Sequence, residues 1–236
     1  MKYLLTLFIL ICLGATAEAQ WWFDAGVKGA YGLTGMSDQN VYDSGTYKHK
    51  LSSGTSVGGR LGFNYGYHVG LSLEYAGATG NQDFNYNGSV YNSYTWKHND
   101  VSLLFRYSGN GAYVEIGAEN SQIKEVELES KDLAAPTDVT DKFSDNYTSG
   151  VLGFGSYLMG GGLFTVNIGI RLHWAFDDMV NEEGKAENYP IVVEPLEDPS
   201  KKTLAAAAQL QLEANYAFGR FAKSACHDKW RLILFQ

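Results

Sequence analysis

Hydrophobic and polar positions alternate along most of this chain. From residue 164 to 176 one face reads Phe164, Val166, Ile168, Ile170, Leu172, Trp174 and Phe176, and the other Thr165, Asn167, Gly169, Arg171, His173 and Ala175. A period of two sustained over that length predicts a β-strand with chemically opposite faces. The pattern recurs at 23–33, 57–67, 71–76, 101–107, 114–119 and 204–218, and in a weaker, glycine-rich form at 147–158, so that eight strands are predicted. The links alternate in length. Those near 66–69, 108–111 and 159–162 are tight and Gly-rich, as hairpin turns are, whereas 34–54, 78–94, 121–146 and 177–202 are long. Short turns on one rim and long loops on the other are the layout of a transmembrane β-barrel. Pro136, Pro190, Pro195 and Pro199 all fall in the last two long loops, so no predicted strand lacks a ladder donor.

The two faces decide the class. The polar face is rich in Gly, Ala and Ser with scattered single charges, which suits the crowded interior of an eight-stranded barrel, where only side chains fit. The bulky face then meets lipid. Its aromatics gather near the strand ends, at Trp21, Trp22, Tyr65, Tyr67, Tyr107, Trp174, Phe176 and Phe218, as interfacial girdles do. The expected fold is all-β: a closed antiparallel eight-stranded transmembrane β-barrel of up-and-down order, with long extracellular loops and short periplasmic turns. The structural alternative, a soluble lipocalin-like barrel, would clothe its outer face in Lys, Glu and Thr.

Composition narrows the partners. The 236 residues carry a formal charge of -8, with 27 Gly, 16 Tyr, 12 Phe and 5 Trp. An acidic balance without a basic stripe argues against a nucleic-acid binder, and the aromatic content argues against disorder. Residues 1–19 read as a signal peptide: Lys2, an apolar core over 3–13, then the small-x-small site Ala17-Glu18-Ala19. The barrel is expected over 20–221 and a basic tail over 222–236. Cys226 is then the sole cysteine of the exported chain, which has no internal disulfide to rely on.

Candidate chemistry begins inside. Lys28, Arg60, Arg106 and Arg171 share the inward face with Asp24, Glu74, Glu115, Glu119 and Glu213, and His173 lies two residues from Arg171. In a narrow lumen such charges are tolerated only as a paired, hydrogen-bonded network, here read as a plug rather than an ion path. His98 and Asp100 share one strand face near the outer rim, where a solvent-facing His98 is the ordinary reading and a rim enzyme acting on lipid or peptide the alternative. The loop 121–146 holds seven acids against three lysines, and 177–202 holds eight against three. Both are expected to be solvated, with contact to a basic protein partner or to divalent cations beside lipopolysaccharide phosphates as the functional alternative. Segment 123–130 still alternates, so strands could project above the membrane. Loop 78–94, with Phe84, Tyr86, Tyr91 and Tyr94, reads as a polar surface or a carbohydrate or protein contact. Arg220, Lys223, Lys229 and Arg231 around Trp230 suit a periplasmic headgroup or protein contact. No CxxC, HExxH, phosphate loop or GxSxG occurs, so no cofactor, metal or catalytic role is expected.

The opening Phe23-Asp24-Ala25-Gly26-Val27-Lys28-Gly29, the paired-strand rhythm and the closing Asn215-Tyr216-Ala217-Phe218-Gly219-Arg220-Phe221 resemble eight-stranded outer-membrane barrels of the OmpA/OmpX type, and most nearly the PorT-like barrels of Bacteroidota. The resemblance covers about 21–221. It implies residence in the outer membrane among lipid and lipopolysaccharide, and a structural or interaction role: membrane integrity, surface contact or an accessory subunit of a secretion system. A small-solute channel is the further alternative. In many such barrels the closing aromatic is the C-terminus, whereas 15 residues follow Phe221 here, either periplasmic or, at 230–235, part of the closing element.

Overall fold

The computed structural model describes residues 21–44, 46–161, 163–192, 198, 200–223 and 230–234, with the backbone alone for 161, 220–223 and 230–234. The signal peptide expected over 1–19, and Cys226, lie outside the described residues. The strands are β1 (Trp21–Asp38), β2 (Tyr47–Lys50), β3 (Ser52–Tyr65), β4 (Val69–Tyr86), β5 (Ser89–Gly109), β6 (Ala112–Ser130), β7 (Thr137–Asp138), β8 (Asn146–Gly161), β9 (Phe164–Ala175), β10 (Thr203–Lys223) and β11 (Trp230–Leu234). Eight of them form an antiparallel ring in the order β1-β3-β4-β5-β6-β8-β9-β10, and β10 pairs back onto β1 from Trp21↔Phe221 to Asp38↔Thr203. The ring is therefore closed, and every stave has a ladder partner on both edges, as a hydrocarbon environment demands of backbone polar groups.

Alternation sorts the side chains. Arg171 is 2% exposed while its neighbours Ile170 and Leu172 are 41% and 40% exposed. Val27, Leu61, Leu73, Leu103, Ile116 and Leu212 are each more than half exposed. Such a belt is unfavourable in water, at roughly 25 cal/mol for each Å² of apolar surface, and is the wall that acyl chains cover. The weak glycine-rich strand has a steric cause. A Cβ on Gly153 would lie 2.5 Å from the Glu115 carboxylate, and one on Gly155 2.6 Å from the Tyr113 ring. Glycine on the inward face of β8 makes room for the bulkier groups of β6.

Three expectations change. Residues 78–94 are no loop, because β4 and β5 run on to a two-residue turn at Asn87-Gly88, with φ of 49° and 83°. Both positions lie in the left-handed region that Asn-Gly tolerates in a type I′ hairpin. Residues 121–130 belong to β6. Finally, β11 pairs with Gly219–Lys223 of β10. The other edge of that segment pairs with Trp21–Phe23, so β11 occupies the edge that β9 covers higher up. The segment after Phe221 thus folds back on the closing strand.

Unboiled protein in SDS is expected to migrate differently from boiled protein, because the ladder closed through β1 and β10 resists the detergent. Identical mobility before and after boiling would contradict a closed ring.

Candidate functional site: the lumen and its cap

Seven of the eight staves send a charged side chain to one level of the lumen, and these meet in alternating sign. Glu74 (β4) accepts from Arg171 (β9) at 2.7 Å, and Arg171 reaches Glu115 (β6) at 2.6 Å. Glu115 accepts from Arg106 (β5) at 2.9 Å, and Arg106 donates to both oxygens of Glu213 (β10) at 2.8 and 2.9 Å. Glu213 also accepts from Arg60 (β3) at 3.0 Å, and the Arg60 Nε lies 4.0 Å from Glu74. The circuit is complete. Two groups of β1 hang from it: Lys28 on Glu74 at 2.5 Å, and Asp24 at 3.5 Å from Arg60. All eight are at most 7% exposed, or belong to side chains at most 5% exposed. Buried ions are strongly unfavourable unless each is paired and its remaining hydrogen-bonding capacity is met. Here amides supply further donors, while Arg60 Nε and Asp24 Oδ1 are held by charge alone, without a hydrogen bond. Asn167, Asn215 and Gln211 donate to Glu213, and Asn64 donates to Asp24. The Arg106 guanidinium also lies 4.3 Å from the centre of the Tyr113 ring. Sequence reasoning missed these amides because it counted charges only, although Asn167 and Asn215 stand on the same polar face.

Of the residues expected in the network, Glu119 and His173 stand apart from the circuit. His173 Nδ1 lies 2.8 Å from Glu119, whose other oxygen accepts from Ser102 at 2.6 Å. His98 Nε2 is 3.4 Å from Asp100. The two histidine–carboxylate pairs line a small polar chamber with Lys28, Trp96 and Tyr147. His98, expected in solvent, is largely covered, its side chain 11% exposed, because β5 continues upward and its inward face stays under cover. Among the described residues no three His, Cys, Asp or Glu side chains converge to hold a metal.

Above the chamber lies a hydrophobic core that was not foreseen. Met36, Val41, Tyr47, Phe84, Tyr94, Trp96, Val126, Leu128, Phe143, Met179, Val180 and Tyr189 are buried together. They come from the segments above every hairpin, so the long connections are not independent solvated loops. Phe84 and Tyr94, read as surface aromatics, are 0% and 1% exposed. Three hydrogen bonds tie the seams. Tyr94 Oη donates to the Pro190 carbonyl at 2.8 Å, Asn92 to the Ile191 carbonyl at 3.0 Å, and the Met179 amide to the Thr203 carbonyl at 2.8 Å. A one-turn helix at Gln39–Asp43 is capped by Asp38, and another at Glu182–Ala186 by Asn181. The acids remain outside: Glu183 and Glu187 hold the Lys142 ammonium at 2.8 Å each, with Asp141 beside it. The signals available were the alternation at 123–130 and the apolar run at Ile191.

Of the aromatics assigned to the girdles, Tyr67, Tyr107, Trp174, Phe176 and Phe218 are exposed to the surroundings, and Trp21 stacks on Phe63 at 4.6 Å and meets Tyr65 at a tilt, 4.5 Å between ring centres. Trp22 departs from the assignment. It shares the inward parity of Asp24, donates from Nε1 to the Gly66 carbonyl at 2.7 Å, and lines the periplasmic mouth with Asp24, Arg60 and Asn64.

A profile of the "Outer membrane protein beta-barrel domain" matches residues 4–218. The chain belongs to this outer-membrane β-barrel family. Its place is therefore the outer membrane, among lipid and lipopolysaccharide. This outer-membrane barrel is similar in fold to OprG of Pseudomonas aeruginosa, at 13% identity and a TM-score of 0.44, over 85% of this chain and 96% of that one. It is similar to Neisserial surface protein A at 13% identity and 0.42, over 82% and 96%. It is also similar to the attachment invasion locus protein Ail of Yersinia pestis, solved with a heparin analogue, at 12% and 0.39, over 86% and 100%. No curated protein matches the sequence.

Two outcomes follow for the barrel. Glu213→Gln strips the carboxylate shared by Arg60 and Arg106, and is expected to cost about 3–5 kcal/mol, as does removing one partner of other buried pairs. Urea unfolding in lipid vesicles measures it, and a loss under about 1 kcal/mol would show that the circuit is not coupled. In the cap, burial holds the His49 ring below its ordinary value against the opposing pull of Asp38, and its Nε2 accepts from the Asp38 amide at 3.3 Å. A histidine kept neutral by folding contributes stability that is present above its unfolded value of about 6.5 and is lost as pH falls from that value through the lowered folded one. Hydrogen exchange in 39–50 should therefore quicken between about pH 7 and pH 5, and His49→Phe should abolish that change.

Proposed function

We propose that this outer-membrane barrel is a closed, non-catalytic anchor that presents a folded extracellular platform to a partner at the cell surface. The observation that carries the reading is the stacking of three layers: the ion circuit across the lumen, the polar chamber, and the apolar cap drawn from all the long connections. In this reading the circuit is a plug. A solute path would have to part paired buried charges, and then cross a packed core. A rim enzyme needs a reactive group open to the outside, whereas His98 and His173 lie beneath the cap. The platform carries its exposed acids on its outer surface, which favours a basic protein partner. The part it plays there, including that of an accessory subunit of a secretion system implied by the PorT-like resemblance, follows from the identity of that partner.

Planar-bilayer recording of the refolded barrel tests the plug directly. The expected trace shows no steady conductance step at moderate voltage. Stable ohmic openings from the intact barrel would replace the anchor reading with a channel.

A further inference from the structure

The wall that faces lipid is not uniform. Near its extracellular end the outer surface of β1, β6, β8, β9 and β10 holds a concave groove of about 850 Å³. That is within the size of ligand sites, about 300–1,000 Å³. Small residues stand there on the outward face, where other parts of the wall carry Leu or Ile: Gly150, Ala206 and Ala208 line its floor. Leu33, Ile116, Leu152 and Leu172 form its sides, and they belong to the half-exposed apolar belt. Tyr42 and Leu51 line it as well, carried by the segment that leaves β1 and returns to β3. A single flexible hydrocarbon chain can follow such a depression along the wall.

The upper edge adds charge. Lys50 lines the groove, and its side chain is 48% exposed, although it is 3.0 Å from Asp83. The Lys202 ammonium sits 3.0 Å from the carbonyl of Phe176, another lining residue. Cations immediately above an apolar slot complement a molecule with an anionic head and a hydrocarbon tail. We propose that the groove is a binding site for one phosphate-bearing lipid of the outer leaflet, its acyl chain along the Ala206–Ala208 floor and its phosphate at Lys50 and Lys202. This goes beyond the general contact of any barrel with its bilayer, because it assigns one position, one headgroup charge and a selectivity.

Trp174 lines the groove and reports on it. The full chain is reconstituted in phosphatidylcholine vesicles containing a minor share of brominated phosphatidylglycerol, or of brominated phosphatidylcholine as the neutral control. The Trp174 signal is taken as the difference from Trp174→Phe. Quenching should favour the anionic lipid by roughly five-fold for each lysine engaged. The selectivity should vanish in Lys50→Glu/Lys202→Glu. Ala208→Phe, which fills the floor, should lower quenching by both lipids. Heat-modifiable mobility on gels confirms that each variant still closes. Equal quenching by the two lipids in the wild type would overturn the proposal. So would a change of oligomeric state in Ala208→Phe with quenching by both lipids unchanged, which would assign the groove to a second copy.

Discussion

The constraint on which the rest of this molecule depends is that a charge inside a narrow barrel cannot be left without a counter-charge. Eight staves leave room for side chains and little water. The four cations at the ring level therefore have to lie beside carboxylates from other strands: the alternation Glu74–Arg171–Glu115–Arg106–Glu213–Arg60 places three of them across six staves, and Lys28 joins on Glu74 from a seventh. A slip of one residue in any of the seven charged staves would turn its ion toward lipid and an outward-facing neighbour into the ring, since side chains alternate along a strand. The circuit and the apolar belt thus specify the same register from opposite sides of the wall. The inward glycines of β8 follow from it, because Glu115 and Tyr113 occupy the space that their side chains would need.

The upper half is governed by a different balance. Beyond the bilayer the strands continue into water, where an outward apolar face would be a liability and an inward one can seed a core. The chain uses the inward face. The alternation that supplies ions at mid-barrel supplies Phe84, Tyr94, Val126 and Leu128 higher up, and loop residues such as Phe143, Met179 and Tyr189 pack onto them. One set of ladders therefore carries two interiors, ionic below and apolar above. The two histidine–carboxylate pairs stand at the boundary between them.

How much of this was legible follows from the range of each signal. The staves, the tight turns, the orientation of Ile168 to Leu172 and the ions of the ring could be read because a period of two is local. The length of β4 and β5 was equally local: Asn87-Gly88 between alternating segments is a hairpin signal, passed over because the polar residues around it resembled a loop. The cap was not legible, because its contacts join segments about a hundred positions apart, and nothing near Phe84 announces Tyr189. Trp22 was misplaced for a related reason. Aromatic type suggested the membrane interface, while parity with Asp24 pointed inward, and parity decides which way a strand residue faces. His98 was assigned to solvent because the strand was expected to end below it.

The seams of the cap also bear on the order of assembly. The hydroxyl of Tyr94 and the amide of Asn92 find their acceptors on Pro190 and Ile191, about half the barrel later in the chain. A nascent barrel that has formed β4 and β5 but not yet received the connection between β9 and β10 holds a hairpin tip whose aromatics are wet and whose donors lack these acceptors. The tip dries only when the final connection arrives, next to the strand that shuts the ring. A sealed crown is in that sense a certificate of completion, displayed on the outside of the cell by barrels whose last stave is in place.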